Sequence, residues 1–152
     1  MKQLHTIYAG RLERLFANLI DTIILVIPGG LAAALLGDEG ITTIATFLIS
    51  LGYYTHFTSS NWQATPGKRL LGLYVVRLDH RALTPRDAVE RFLAYSIPSL
   101  PLYASFISDQ AVPMLVFWLS MVWFLPILFT SERIGTHDRL CGTRVLIGKV
   151  GT

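Results

Sequence analysis

The chain has 152 residues, of which 52% are hydrophobic and only 15% charged, and its mean hydropathy is +0.49. A soluble domain usually carries about 25% charged residues, so this composition argues against a globule surrounded by water. Thirteen Lys and Arg against ten Asp and Glu give a net charge of +3, which in a chain lying partly in lipid does not indicate nucleic-acid binding.

Four apolar runs follow in chain order, and we expect each of them to cross a membrane. They comprise residues 15–36, 41–60, 88–107 and 112–130. At about 1.5 Å of rise per residue the first run reaches roughly 33 Å, which is enough for a hydrocarbon core of about 30 Å. The third run is the least regular because it contains Pro98 and Pro101 and needs an amphipathic beginning to cross fully. We therefore treat residues 1–152 as a single membrane domain.

The basic residues predict how this domain is oriented. The connections 37–40 and 108–111 contain no Lys or Arg, whereas the segment 61–87 and both ends of the chain are basic. Because positive residues stay on the cytoplasmic side, both termini and segment 61–87 are expected there. A cleavable signal peptide is the main rival for the first run, but the acidic Asp21 inside it argues against one.

Two short β-like segments are predicted on the cytoplasmic side. They are residues 73–78 and 143–147, and we expect them to pair as a small ribbon under the bundle. The Gly-Lys pair before the first segment lacks the glycine spacing of a phosphate-binding loop. The fold class is therefore an all-α membrane protein, a bundle of four transmembrane helices with a small cytoplasmic β-ribbon.

The first run contains the sharpest functional signal. Arg14, Asn18 and Asp21 are spaced by four and three residues, which places them on one stripe of a helix. A carboxylate at membrane depth is costly, so Asp21 should face the bundle or a water-filled cavity. Asn18 lies where it can relay a hydrogen bond between Arg14 and Asp21. Two interpretations remain open: Asp21 is a proton or cation site, or it holds helices together in a polar network.

Further polar residues are candidates for supporting roles. The second run carries a hydroxyl stripe that is suited to packing or to bonding Asn18 and Asp21, formed by Thr43, Thr46, Ser50 and then Tyr53 or Tyr54. His56 on the same run either titrates or lies at the interface. The basic residues Lys68, Arg69 and Arg91 are placed to contact anionic headgroups or to pair with acids. No nucleophile motif, metal cluster or phosphate loop is present, and Cys141 is the one cysteine. We expect no enzyme activity, no cofactor and no metal.

Three blocks of the chain resemble the RDD family of membrane proteins, which is named for one arginine and two aspartates. The blocks are Tyr8-Ala9-Gly10 with Arg14-Leu15-Phe16-Ala17-Asn18-Leu19-Ile20-Asp21, then residues 65–76, then residues 137–145. The resemblance assigns the three name residues to Arg14, Asp21 and Asp138. It implies a multi-pass protein of a bacterial cytoplasmic (inner) membrane, with relatives that act in transport, including sodium/proton exchange, and others that look like scaffolds.

Two functions are therefore expected. The first is a small transporter or cation/proton exchanger that uses Asp21 and works as a homo-oligomer, since four spans are few to enclose a pathway. The alternative is a membrane scaffold or interaction module that binds partner proteins or anionic lipids. In that alternative Asp138, just after the fourth run, meets Arg14 at the cytoplasmic surface.

Overall fold

The computed structural model describes residues 8–99, 111–125 and 135–148, and within them the chain is mostly helical. The helices are α1 (Arg11–Leu36), α2 (Glu39–Ser59), α3 (Pro66–Leu70), α4 (Pro85–Ser96), α5 (Ala111–Phe124) and α6 (Thr136–Leu140). The strands are β1 (Leu73–Arg77) and β2 (Thr143–Ile147), and a 3-10 turn over Ile97–Ser99 follows α4.

The first two apolar runs form long helices, as predicted. α1 has 26 residues and α2 has 21, so they reach about 39 and 31 Å. Gly37 ends α1 in a left-handed conformation with φ 67°, and Asp38 caps α2 by accepting a hydrogen bond from the Ile41 N–H at 2.8 Å. Within the described residues α1 is the one helix whose length and composition suit a membrane span, and 6% of its most apolar stretch is buried.

The third and fourth predicted runs are only partly described. Thr84 caps α4, which lasts 12 residues before the 3-10 turn that contains Pro98, and α5 has 14 residues. These lengths correspond to about 18 and 21 Å, less than a hydrocarbon core of about 30 Å. The rest of the two runs, residues 100–107 and 126–130, lies outside the described residues. Four crossings and cytoplasmic termini therefore stay a prediction.

The predicted pairing of the two β-like segments is confirmed. β1 and β2 are antiparallel, and Val75 lies opposite Val145 at the centre of the five paired positions. Just before α1, the N–H of Ala9 donates to the Val145 carbonyl at 3.1 Å, which ties the start of that helix to the ribbon. The two central valines are almost fully buried, so the ribbon is part of the core.

The packed core lies at the ribbon end of α1. It contains small and branched side chains from the ribbon, from the helices packed on it and from the segments just before α1 and α4: Ala9, Ala17, Leu73, Val75, Leu83, Ala88 and Val145. Towards its other end α1 exposes large apolar residues, such as Ile27 at 75% and Leu35 at 74%. Such a surface suits lipid rather than water.

The ribbon is formed by two copies of one helix–strand unit. α3–β1 and α6–β2 each join a five-residue helix to a five-residue strand, and the second unit lies 70 positions after the first, as Thr136 follows Pro66. Gly72 and Gly142 make the same left-handed turn, with φ 65° and 59°. Because the strands pair about Val75 and Val145, a local two-fold axis through this pair relates the units.

Candidate functional site

Asp21 is completely buried on the face of α1 that meets α3. Its carboxylate accepts hydrogen bonds from the Tyr53 hydroxyl at 2.8 Å, the Thr65 hydroxyl at 2.5 Å and the Gly67 N–H at 2.8 Å. The ammonium of Lys68 lies 3.7 Å away as the counter-charge. We call these five residues the Asp21 network, and in it both carboxylate oxygens have partners.

Gly67 brings α3 against α1. A Cβ at this position would lie 2.2 Å from the Ala17 carbonyl oxygen and 2.8 Å from Asp21 Oδ1. Real Cβ atoms do not approach backbone oxygen so closely, so a side chain here would push α3 away. Glycine is therefore required for the Gly67 N–H to reach Asp21.

Asp138 is also completely buried, and it pairs with two arginines from different helices. It accepts from Arg14 Nη1 at 3.0 Å, from Arg91 Nη2 at 2.7 Å and from the Thr143 hydroxyl at 3.0 Å. We call these four residues the Asp138 network. Burial by itself would raise the pKa of Asp138, but nearby positive charge, that of Arg91 first, holds this pKa well below its usual range.

The two networks are related by the repeat, with their charges exchanged. Lys68 and Asp138 occupy the same position in α3 and α6, and Asp21 and Arg91 are likewise 70 positions apart. Beside the first unit, α3 supplies the cation and α1 the carboxylate, whereas beside the second unit α6 supplies the carboxylate and α4 the cation. Arg14 of α1 pairs with Asp138, and so joins the first half of the chain to the second.

A cavity of about 60 Å³ is lined by members of both networks. Arg14, Lys68 and Arg91 are among its lining residues, whereas Asp21 and Asp138 are not. We call it the cationic cavity. Burial, followed by the positive charge of Arg91, lowers the pKa of Lys68 to about 8. Burial also lowers the pKa of His137, which lines the same cavity, to about 4, so its imidazole is neutral at pH 7.

The expected relay from Arg14 through Asn18 to Asp21 is not what the structure shows. Arg14 pairs with Asp138, and the side-chain oxygen of Asn18 accepts from Lys68 Nζ at 3.3 Å. The cation beside Asp21 is Lys68, which lies on a separate element. Spacing along α1 placed the three residues on one stripe correctly, but it could not show that other elements supply their partners.

The supporting candidates fall into two groups. The hydroxyls of Thr43 and Thr46 donate to carbonyls of their own helix, at 2.7 Å and 2.9–3.0 Å, and Ser50 is half-buried. Of the predicted hydroxyl stripe, Tyr53 is the member that bonds Asp21, whereas Thr43 and Thr46 bond within α2. His56 is exposed, with its ring edge-on to a neighbouring aromatic ring. Lys68 and Arg91, by contrast, are central to the two networks.

Three network residues were missed by sequence reasoning: Thr65, Gly67 and Thr143. The signal that could have found them is the recurrence of Arg-Leu-x-Gly at residues 69–72 and 139–142. That recurrence aligns Lys68 with Asp138 and thereby indicates that the residues around them fold alike.

A long apolar helix with buried, paired charges at one of its ends suits a helical membrane protein. The chain belongs to the RDD family, whose family model matches residues 8–142, nearly the whole sequence. The matched segment includes Arg14, Asp21 and Asp138, so the predicted membership is confirmed.

A curated relative is "Uncharacterized protein YxaI" of Bacillus subtilis (strain 168). It is 30% identical over 105 residues, which is 69% of this chain and 57% of that protein. The chain thus spans a little more than half of the relative's length. No solved structure shows a significant match.

Proposed function

We propose that this RDD-family protein is a membrane interaction module that binds anionic lipid headgroups at its cytoplasmic face. The two networks would hold the helices and the ribbon in one arrangement, and exposed basic turns of that arrangement would contact the lipid. The observation that carries lipid binding is the exposure of two Arg-Leu pairs at residues 69–70 and 139–140, and the closure of the Asp21 network supports the structural role of the networks.

The Asp21 network favours a structural role for this carboxylate. Three donors and an ammonium surround it, and its exposed fraction is 0%. Hydrogen bonds to a charged group contribute about 1.5–3 kcal/mol each, so releasing Asp21 to a passing ion would break several strong contacts. A carboxylate so completely satisfied is suited to fixing α1, α2 and α3 together.

Two exposed turns of the repeat supply the candidate lipid-binding surface. Arg69-Leu70 ends α3 and Arg139-Leu140 ends α6, and we call these pairs the Arg-Leu turns. Leu70 is 73% exposed and Leu140 is 64% exposed, although each is a large apolar residue beside a basic one. The Arg69 guanidinium also stacks over the Trp62 ring at 4.4 Å. Tryptophan, leucine and arginine in this combination are typical of residues at the headgroup level of a membrane.

Lipid-dependent unfolding tests this proposal. The purified chain is placed in nanodiscs of phosphatidylcholine, with or without phosphatidylglycerol, and its Tm is measured. We expect phosphatidylglycerol to raise the Tm of the wild type, and the double variant Arg69→Gln/Arg139→Gln to lose at least half of that increase. Arg81→Gln, which removes another exposed arginine outside the Arg-Leu turns, is the control. An equal increase in all three proteins would reject the assigned surface.

The exchanger hypothesis makes a different prediction about Asp21. Dye-reported sodium/proton antiport in proteoliposomes is compared for wild type and Asp21→Asn. The module predicts no antiport in either protein and a lower Tm in the variant, because Tyr53, Thr65 and Lys68 lose a charged partner. Antiport that disappears in a variant with an unchanged Tm would overturn the module and support the exchanger. The same preparations report the oligomeric state, for which a homo-oligomer stays the prediction.

A further inference from the structure

The arginines of the two Arg-Leu turns differ from others at the surface because no carboxylate neutralises them. Three of the partly or fully exposed arginines form ion pairs with nearby acids: Arg77, Arg81 and Arg86. Arg69 and Arg139 are also exposed, and within the part of the chain that the structure describes their side chains make no hydrogen bond or ion pair. A guanidinium carries several N–H donors. The two turns therefore offer these donors to a ligand.

Trp62 distinguishes the first Arg-Leu turn from the second. It follows the end of α2 at Ser59 by three positions, and its ring stacks on Phe57 of that helix with the centroids 5.4 Å apart. Arg69 Cζ lies over the same ring, 4.4 Å from its centroid. The residue 70 positions after Trp62 is Glu132, which lies outside the described residues. The tryptophan is thus not repeated in the sequence, although the Arg-Leu pair is.

An aromatic ring can orient a guanidinium without using its N–H groups. The cation–π attraction acts on the flat face of the guanidinium. Its N–H donors lie in the plane, where they can bond two oxygens of one phosphate. Trp62 is 42% exposed and comes just after a predicted span, which is where tryptophan usually lies at the headgroup level. The contact with Trp62 therefore prepares Arg69 for a phosphate at that level.

We propose that the first Arg-Leu turn is a site for the phosphodiester of one anionic glycerophospholipid, and that Trp62 is the residue that positions Arg69 for it. The guanidinium would donate two parallel hydrogen bonds to the phosphate oxygens. Leu70, which is 73% exposed, would enter the acyl region beside them. Arg139 has the same charge without this aromatic support among the described residues, so its turn would attract headgroups without ordering one. This inference rests on the proposed function and adds which turn holds a lipid.

A titration with phosphatidylglycerol in nanodiscs measures the two turns separately. The mole fraction of phosphatidylglycerol that gives half of the maximal rise in Tm is compared for the wild type and for single variants of each turn. Fixing a flexible side chain in advance improves binding by about two- to tenfold. We therefore expect Arg69→Gln to raise this fraction by at least that factor. Arg139→Gln should raise it by less than about twofold.

Variants of Trp62 test whether this residue acts through Arg69. Trp62→Leu removes the ring but leaves the charge of Arg69, and should raise the half-maximal fraction about two- to tenfold. Trp62→Phe keeps a ring face and should stay close to the wild type. In an Arg69→Gln background, Trp62→Leu should have no further effect. Trp118→Leu is the control, because Trp118 is 61% exposed and contacts no arginine among the described residues.

The outcomes separate this inference from the proposed function. A merely structural role of Trp62 would lower the Tm in pure phosphatidylcholine and leave the half-maximal fraction unchanged, which would overturn the inference. Equal effects of Arg69→Gln and Arg139→Gln, or an undiminished effect of Trp62→Leu in the Arg69→Gln background, would also overturn it while lipid binding stands. If phosphatidylglycerol did not raise the Tm of the wild type, the proposed function would be rejected and this inference with it.

Discussion

Asp138→Asn is the substitution that most directly tests the Asp138 network. Asparagine has almost the same shape as aspartate but no charge, so Arg14 and Arg91 would lose the carboxylate they share at 3.0 and 2.7 Å. Both arginine side chains are at most 10% exposed, so water cannot replace that partner fully. Removing one member of a buried pair costs about 3–5 kcal/mol. For a chain of this length, that cost corresponds to a fall in Tm of roughly 6–20 °C.

Thermal unfolding followed by tryptophan fluorescence in detergent measures this cost. The matched control is Asp79→Asn, which makes the same chemical change in an ion pair whose side chains are 57–58% exposed. Exposed pairs contribute about 0–1 kcal/mol, so the control should lower the Tm by at most a few degrees. If the two substitutions lowered the Tm equally, burial would not strengthen the Asp138 pairs and the reasoning would be refuted.

The remaining predictions concern glycine and histidine. Gly67→Ala should lower the Tm by several degrees because the new methyl group would clash with the Ala17 carbonyl. Gly52→Ala is the control: this position lies inside α2 with open space around it, so the substitution should be neutral or stabilising. Equal changes in Tm would contradict the close approach of α3 to α1 at Gly67. His137 has its pKa lowered from 6.5 to about 4 by burial, so the unfolded chain takes up its proton first as the pH falls. The free energy of unfolding should therefore decrease by about 3 kcal/mol between pH 6.5 and pH 4. His137→Asn should flatten that part of the stability curve, and an unchanged slope would refute the assignment.

The sequence predicted the features that depend on composition and local spacing. Uninterrupted apolar residues identified α1 and α2, and short segments rich in β-branched and other apolar residues identified both strands of the ribbon. The cost of charge in an apolar helix pointed to Arg14 and Asp21 before any partner was known. These inferences succeeded because each depends on a property of one short segment.

The contact between Arg14 and Asp138, expected in the scaffold alternative, is present at 3.0 Å, but the sequence did not show that Lys68 is the cation beside Asp21. Asp21 and Lys68 are 47 positions apart and Arg14 and Asp138 are 124 apart, so their pairing depends on how α3 and α6 pack against the longer helices. Nor does spacing along α1 exclude a contact within the stripe, since Asn18 lies between its two charged neighbours. The structure resolves this ambiguity because Gly67 lets α3 approach closely enough for Lys68 to replace Arg14 beside Asp21.

The exchanged charges of the repeat have a consequence for how the halves of this chain recognise each other. If the connection at residues 79–82 were cut, two copies of the first half could form a similar ribbon, but they would lack the Asp138 that Arg14 requires. Two copies of the second half would lack the arginine of α1. Only unlike halves supply Arg14 and Asp138 together. The exchanged charges therefore favour pairing of a first half with a second half over pairing of two identical halves, although the backbone of the ribbon would be similar in each case.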